Sequence, residues 1–174
     1  MSVGVYICFG ASAAPGVDVV TFEPAPWNIE RIKENIELNE SEASVYKVAL
    51  SNSSGIAELS VLEETQGEQR HSIVDSSEGE TITVETIPGD DIVGTEQPIP
   101  NIVKIDVEGA EDLVLDGLKE TLRNSNCRLV YCEKHVNSDK SQEEEGIEQS
   151  LNSLGFDITT FQTAEGESIL KSER

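Results

Sequence analysis

Ile102-Val103-Lys104-Ile105-Asp106-Val107-Glu108-Gly109-Ala110-Glu111 decides how this chain is read. A short apolar strand runs into two carboxylates separated by one residue, and a glycine and the start of a helix follow at once. In an open α/β sheet, ligands bind outside the carboxyl ends of the strands, so Asp106 and Glu108 stand at the lip of a site. Side chains alternate along an extended chain, which aims both acids to the same side. They are suited to position a cofactor ammonium, to bind a divalent cation or to take a proton from a nucleophile. The plainer reading of Glu108 is a negative charge at the start of the next helix, where the helix dipole favours it.

The same grammar repeats on both sides of this stretch. Val17–Phe22 reads as a strand ending at Glu23-Pro24, and Pro26 opens a helix to about Leu38 with Ile29, Ile32 and Ile36 on one face. Ser44–Leu50 reads as the next strand, closed by a Ser-Asn-Ser-Ser-Gly turn. Ala57, Leu59 and Val61 alternate, as do Ile82, Val84 and Thr86, so two added strands flank a charged loop at 63–80 that is either a lid or simply solvated. Glu111–Leu122 has Val114, Leu115, Leu118 and Leu122 at helical spacing, and Leu129–Cys132 reads as a buried strand ending in Glu133-Lys134-His135. Ile147, Leu151 and Leu154 mark a last helix, closed by Gly155, before a strand at Asp157–Phe161. Strands alternating with helices predict one α/β domain over 1–174, a doubly wound, mostly parallel sheet.

The formal net charge is −22, from 34 acids against 12 bases, and the bases are scattered. Such a chain repels nucleic acid and anionic membrane. Its self-repulsion is severe where the screening length is ~8 Å and much relieved near 1 M salt, at ~3 Å. The composition resembles that of proteins from salt-loving archaea. An acidic mimic of DNA is the other reading of the charge, but a mimic needs no strand–loop–helix order. No stretch approaches the ~18 apolar residues of a membrane span, and residues 3–14 lack the charged leader of a secretory signal, which makes a cytoplasmic location the default. Cys8, Cys127 and Cys132 show no C-x-x-C spacing, and an odd count favours reduced core thiols over a disulfide framework or a zinc site.

Three further groups can carry chemistry. Glu23 follows Gly4 by roughly 20 residues, the spacing at which an acid receives the two ribose hydroxyls of a nucleoside cofactor; an exposed strand-end acid is the bland alternative. Glu133 and His135 repeat the same one-residue spacing at the end of the neighbouring strand, and a histidine there is a plausible general base; a surface histidine following a strand is the bland alternative. His71, in the charged loop, reads as solvated. Ligands from two adjacent strand ends can hold a metal, but this spacing is not diagnostic, and no metal is expected.

These residues together resemble the FkbM-type family of S-adenosylmethionine-dependent methyltransferases. The matching pieces are Val20-Thr21-Phe22-Glu23-Pro24 with Asn28, Val48-Ala49-Leu50, Lys104 through Glu111 with Leu115 and Gly117, and Glu133 with His135, spanning roughly residues 3–160. The resemblance implies a class I, Rossmann-like methyltransferase fold, S-adenosyl-L-methionine as cofactor, and a hydroxyl acceptor on a small metabolite, glycan or lipid-linked sugar. Carried over by position, Gly4, Glu23, Pro24, Ala49, Leu50, Ser51 and Asp106 would bind the cofactor, with Glu23 on the ribose and Ala49–Ser51 beside the adenine. Asp106, Glu108, Glu133 and His135 would serve catalysis.

The chain departs from the family pattern at its start. Val3-Gly4-Val5-Tyr6 matches only the tail of the cofactor turn, so the usual first strand, central in the sheet, is expected to be missing, at ~1–3 kcal/mol per unsatisfied buried backbone group. Strand propensity of Val, Tyr, Ile and Phe would let Val3–Phe9 replace it, but alignment with the family favours a helix from about Val5 to Ala14 and a truncated start. A non-catalytic Rossmann-like remnant is therefore the second reading, and an NAD-dependent dehydrogenase, which Glu23 would serve equally well, a weaker third.

Overall fold

The computed structural model describes residues 5–13, 16–61, 71–72, 80–134, 141–162 and 168–174. Helix α1 (Val5–Ala13) precedes strand β1 (Val20–Phe22), helix α2 (Pro26–Leu38) and strands β2 (Ser44–Tyr46) and β3 (Ala49–Leu50). Strands β4 (Gly55–Val61), β5 (His71–Ser72) and β6 (Glu80–Ile87) follow, then a 3-10 turn at Gly89–Asp91. The second half runs β7 (Ile102–Ile105), α3 (Glu111–Gly117), α4 (Lys119–Arg123), β8 (Leu129–Lys134), α5 (Ser141–Ser153), β9 (Asp157–Gln162) and β10 (Ser168–Glu173). No helix among the described residues is long and apolar enough to cross a membrane.

The α/β, Rossmann-like architecture stands, with mixed pairing. β1–β2, β3–β6 and β7–β8 are parallel, while β10 runs antiparallel to both β8 and β9, and β4 to both β5 and β6. The sheet order β7-β8-β10-β9 means that the last strand of the chain inserts between β8 and β9. Sequence reading found β9 and missed β10, because Ser-Ile-Leu-Lys-Ser-Glu is short and half polar. Its Leu170 and Ser172 are nevertheless fully buried. Among the described residues no strand precedes β1, and β1 and β7 are each paired along one edge. The segment from Val5 is a helix, as the family alignment predicted over the local strand propensity.

Two expected elements are broken in two, each for a local reason. The strand expected over Ser44–Leu50 bends at Val48: Tyr46 stacks on Phe22 at 5.3 Å, while Ala49 and Leu50 turn to pair with Thr86 and Ile87. The helix expected over Glu111–Leu122 is interrupted at Leu118 (φ −112°, ψ 14°). There the Asp90 carboxylate accepts the backbone N–H groups of Glu120 and Thr121 at 2.8 and 2.9 Å and the Thr121 hydroxyl at 2.6 Å. Those are the donors a helix start leaves unpaired, so Asp90 starts α4 afresh. The expected pair of added strands is β4 and β6, joined in register from Gly55↔Thr86 to Val61↔Glu80. Of the expected loop at 63–80, residues 63–70 and 73–79 lie outside the described residues.

Helices α3, α4 and α5 pack on one face of the β7-β8-β10-β9 sheet, where Ile105, Val130, Cys132 and Leu170 meet Leu115, Leu122 and Leu151. Strand alternation turns Lys104, Asp106 and Glu133 to the other face. There the Tyr6 ring of α1 lies over the Lys104 ammonium. A second, smaller cluster gathers Ala25, Ala49, Leu59 and Val84. Cys127 and Cys132 are buried free thiols, as expected, whereas Cys8 is half-buried on α1.

Candidate active site

Glu23 follows directly on β1, and Pro24 and Pro26 limit the backbone to a tight turn around the fully buried Ala25. The turn folds the acid back onto its own chain. The Ala25 N–H donates to Oε1 at 2.8 Å, and Asn28 Nδ2, from the first turn of α2, donates to Oε2 at 3.2 Å. Burial pushes the Glu23 pKa upward against the pull of these two hydrogen bonds. Each oxygen keeps acceptor capacity beyond the one donor that fixes it.

Ala49, Leu50 and Ser51 connect this turn to the rest of the site. Ala49 packs with Ala25, one side of the junction, and Leu50 packs against the cluster that holds Ile105, as does Val107 on the other side of Asp106. Ser51 is pinned by its N–H, which donates to the Ile87 carbonyl at 2.9 Å. Gly117 lets α3 approach the Ser51 backbone more closely than a side chain would permit.

The Asp106 end is built differently from the sequence expectation. β7 stops at Ile105, so the alternation that was to aim Asp106 and Glu108 together does not extend to Glu108, which sits in the bend before Gly109. Gly109 has φ +81°, a left-handed conformation that glycine adopts without a Cβ penalty. Glu133, predicted as half of an acid–histidine pair, is buried in β8 and engages Lys104. The Lys104 Nζ lies 2.8 Å from Glu133 Oε2 and 3.0 Å from Asp106 Oδ2. The Tyr6 ring centroid is 5.1 Å from the same nitrogen. Burial lowers the Lys104 pKa, but the Glu133 hydrogen bond and the Asp106 charge outweigh it and the net shift is upward. Asp106 Oδ1 is buried without a hydrogen-bond partner among the described residues.

Sequence reading passed over Lys104, although it was in the opening stretch. The signal was a base inside an apolar strand, two residues before an acid and so on the same face, in a chain with few bases. Gly4 and His135 lie outside the described residues, so the structure places neither. No three His, Cys, Asp or Glu side chains among the described residues come together as a metal site. A surface hollow lined by Asp112, Asp116, Lys119 and Ser150 contains none of the expected site residues.

The chain is similar to known proteins over most of its length. Residues 3–158 match the family model described as the methyltransferase FkbM domain. The chain is 33% identical over 139 residues to the hexuronic acid methyltransferase AglP of Haloferax volcanii, covering 79% of this chain and 54% of AglP. It therefore spans about half the length of that curated relative. The fold resembles the crystal structure of methyltransferase FkbM from Methylobacillus flagellatus KT, with a TM-score of 0.68 at 14% identity over 98% of this chain and 41% of that one. It also resembles precorrin-6y C5,15-methyltransferase from Geobacter metallireducens GS-15, with a TM-score of 0.51 at 12% identity over 92% and 68% of the two chains. With the family model covering most of its length, the chain belongs to the FkbM methyltransferase domain family.

Proposed function

We propose that this protein transfers a methyl group from S-adenosyl-L-methionine to an oxygen of a sugar acid. The observation that carries the reading is the Glu23 carboxylate, fixed through both oxygens at the end of β1 with acceptor capacity left for a vicinal diol. The residues present fit the cofactor. Glu23 would receive the ribose, the Ala49–Ser51 strand end would border the adenine, and the orphaned Asp106 Oδ1 would accept a donor near the reacting centre. The bound cofactor supplies an electrophilic methyl on a sulfonium. The chain's own part is to hold the acceptor oxygen against that methyl and to exclude water, from which most of the rate gain of an in-line displacement derives.

The sugar-acid acceptor rests on the hexuronic acid methyltransferase relative. A hexuronate offers two kinds of oxygen, and they ask different things of the protein. A hydroxyl must lose its proton, for which His135 is the candidate base, since Lys104 already engages Asp106 and Glu133. A carboxylate carries no proton and needs no base. Because a hexuronate and a chain of charge −22 repel each other, turnover is expected to need high salt.

The test is titration calorimetry with S-adenosyl-L-methionine in molar potassium chloride, followed by transfer of labelled methyl to hexuronic-acid oligosaccharides and to neutral hexose controls. Binding and label on the sugar acid are expected. Mild alkali then separates the acceptors, releasing the label from a methyl ester and leaving a methyl ether intact. A protein that neither binds the cofactor nor labels any sugar would overturn the proposal.

A further inference from the structure

Lys104 is the point where three elements meet. Asp106 lies just beyond β7, Glu133 stands at the neighbouring position of β8, and Tyr6 comes down from α1. Register places Ile105 opposite Cys132, so the next residues, Asp106 and Glu133, are cross-strand neighbours. Two carboxylates in adjacent cross-strand positions repel each other. The Lys104 ammonium lies between them, 3.0 and 2.8 Å from one oxygen of each, and the aromatic face of Tyr6 lies over it at 5.1 Å. Only Oδ2 of Asp106 is used in this way, and Oδ1 is buried with no partner among the described residues. A buried acceptor without a donor is costly and uncommon, and Oδ1 keeps its full acceptor capacity.

We propose that Lys104 is a positioning residue whose ammonium clamps Asp106 to Glu133 and thereby aims the Asp106 Oδ1 atom at a hydrogen-bond donor of the bound ligand. The donor is either the ammonium of the methyl donor or a hydroxyl of the acceptor sugar, and the same carboxylate oxygen serves both chemistries. Lys104 itself touches neither. The Tyr6 ring over the ammonium links α1 to β7. The role in the reaction rests on the methyltransferase reading, whereas the clamp can be measured without it.

The clamp is tested by following the Lys104 side chain in the whole protein by NMR while pH is raised. The ammonium is expected to deprotonate above the ordinary lysine value of 10.5, and Asp106→Asn and Glu133→Gln are each expected to bring it down. A Lys104 midpoint unmoved by both substitutions overturns the clamp. The aim is tested by steady-state kinetics on Lys104→Met and Lys104→Arg, varying the methyl donor and the sugar acid separately. The Met variant is expected to raise one KM by roughly tenfold or more, as loss of an oriented charged hydrogen bond does, with partial rescue by Arg. A rise confined to the methyl donor assigns its ammonium to Oδ1, and one confined to the sugar assigns a hydroxyl. Unchanged kinetics in a folded Met variant overturns the positioning role. Absence of turnover in the unaltered protein would count against the methyltransferase reading and leave the clamp to be decided by the NMR result.

Discussion

Replacing Gly117 by alanine should destabilise this protein although it places a better helix former in α3. A Cβ built on Gly117 falls 2.8 Å from the Ser51 carbonyl carbon, closer still to its oxygen, and 3.3 Å from the Pro88 Cα. All of these are backbone atoms, and the Ser51 N–H is tied to the Ile87 carbonyl at 2.9 Å, so no side chain can swing aside. Carbon atoms pack at about 3.5–4.0 Å, so α3 must withdraw by about 1 Å. That withdrawal loosens Val114, Leu115 and Leu118, which are all buried in the main core. Overpacking of this kind costs about 1–3 kcal/mol, against at most ~1 kcal/mol gained from helix propensity. Gly146, inside α5 with nothing within 4 Å of its built Cβ, is the control, and there alanine should stabilise by up to ~1 kcal/mol. Thermal unfolding by circular dichroism in molar salt reads both, at about 2–4 °C per kcal/mol for a chain of this size. The two alanines should move the midpoint in opposite directions. If Gly117→Ala melts at or above the unaltered protein, the close approach of α3 to Ser51 is wrong.

Three other perturbations bear on the site and on its setting. Glu23→Gln should weaken S-adenosyl-L-methionine binding; in the unaltered protein, binding should fade as pH drops through a midpoint above the ordinary 4.5, because burial raises it. Calorimetry across pH reads both, and equal affinity in the Gln variant would remove Glu23 from the ribose. The same raised pKa has the opposite sign for folding: its stabilising contribution is present below the unfolded carboxyl range and is lost as pH rises through the folded value. Cys132, whose pKa burial and the nearby Glu111 charge push up to about 12, should resist alkylation at pH 8 in the native state, and mass spectrometry should find the half-buried Cys8 labelled first. Raising potassium chloride from 0.1 to 2 M should increase the melting temperature, because 34 acids face 12 bases and screening shortens from ~10 Å to under ~3 Å; a flat response would mean that self-repulsion does not limit stability.

The sequence by itself determined what depends on nearest neighbours and periodicity. Ile-Val-Lys-Ile before Asp106 and Val-Thr-Phe before Glu23 are strands because apolar and β-branched residues follow one another there, and each runs into an acid at its carboxyl end. Pro26–Leu38 is a helix with Ile29 and Ile32 buried on one face. Contacts between distant segments were decided only by the tertiary structure. Asp90 splits one apolar helical stripe into α3 and α4 from 30 residues away, a polar terminal segment becomes an interior strand because β8 and β9 leave a place for it, and Tyr46 and Ala49 part company because their partners lie in different sheets. The candidate site divides in the same way. Glu23 was singled out by its place at a strand end, and the groups that hold it, Ala25 and Asn28, lie within five residues of it. Lys104 was not, because its meaning depends on Glu133, 29 residues away, and on Tyr6, contributed by a different element. Local pattern fixes which way a side chain faces along its own strand, but only packing of the strands against one another fixes which charge it meets there.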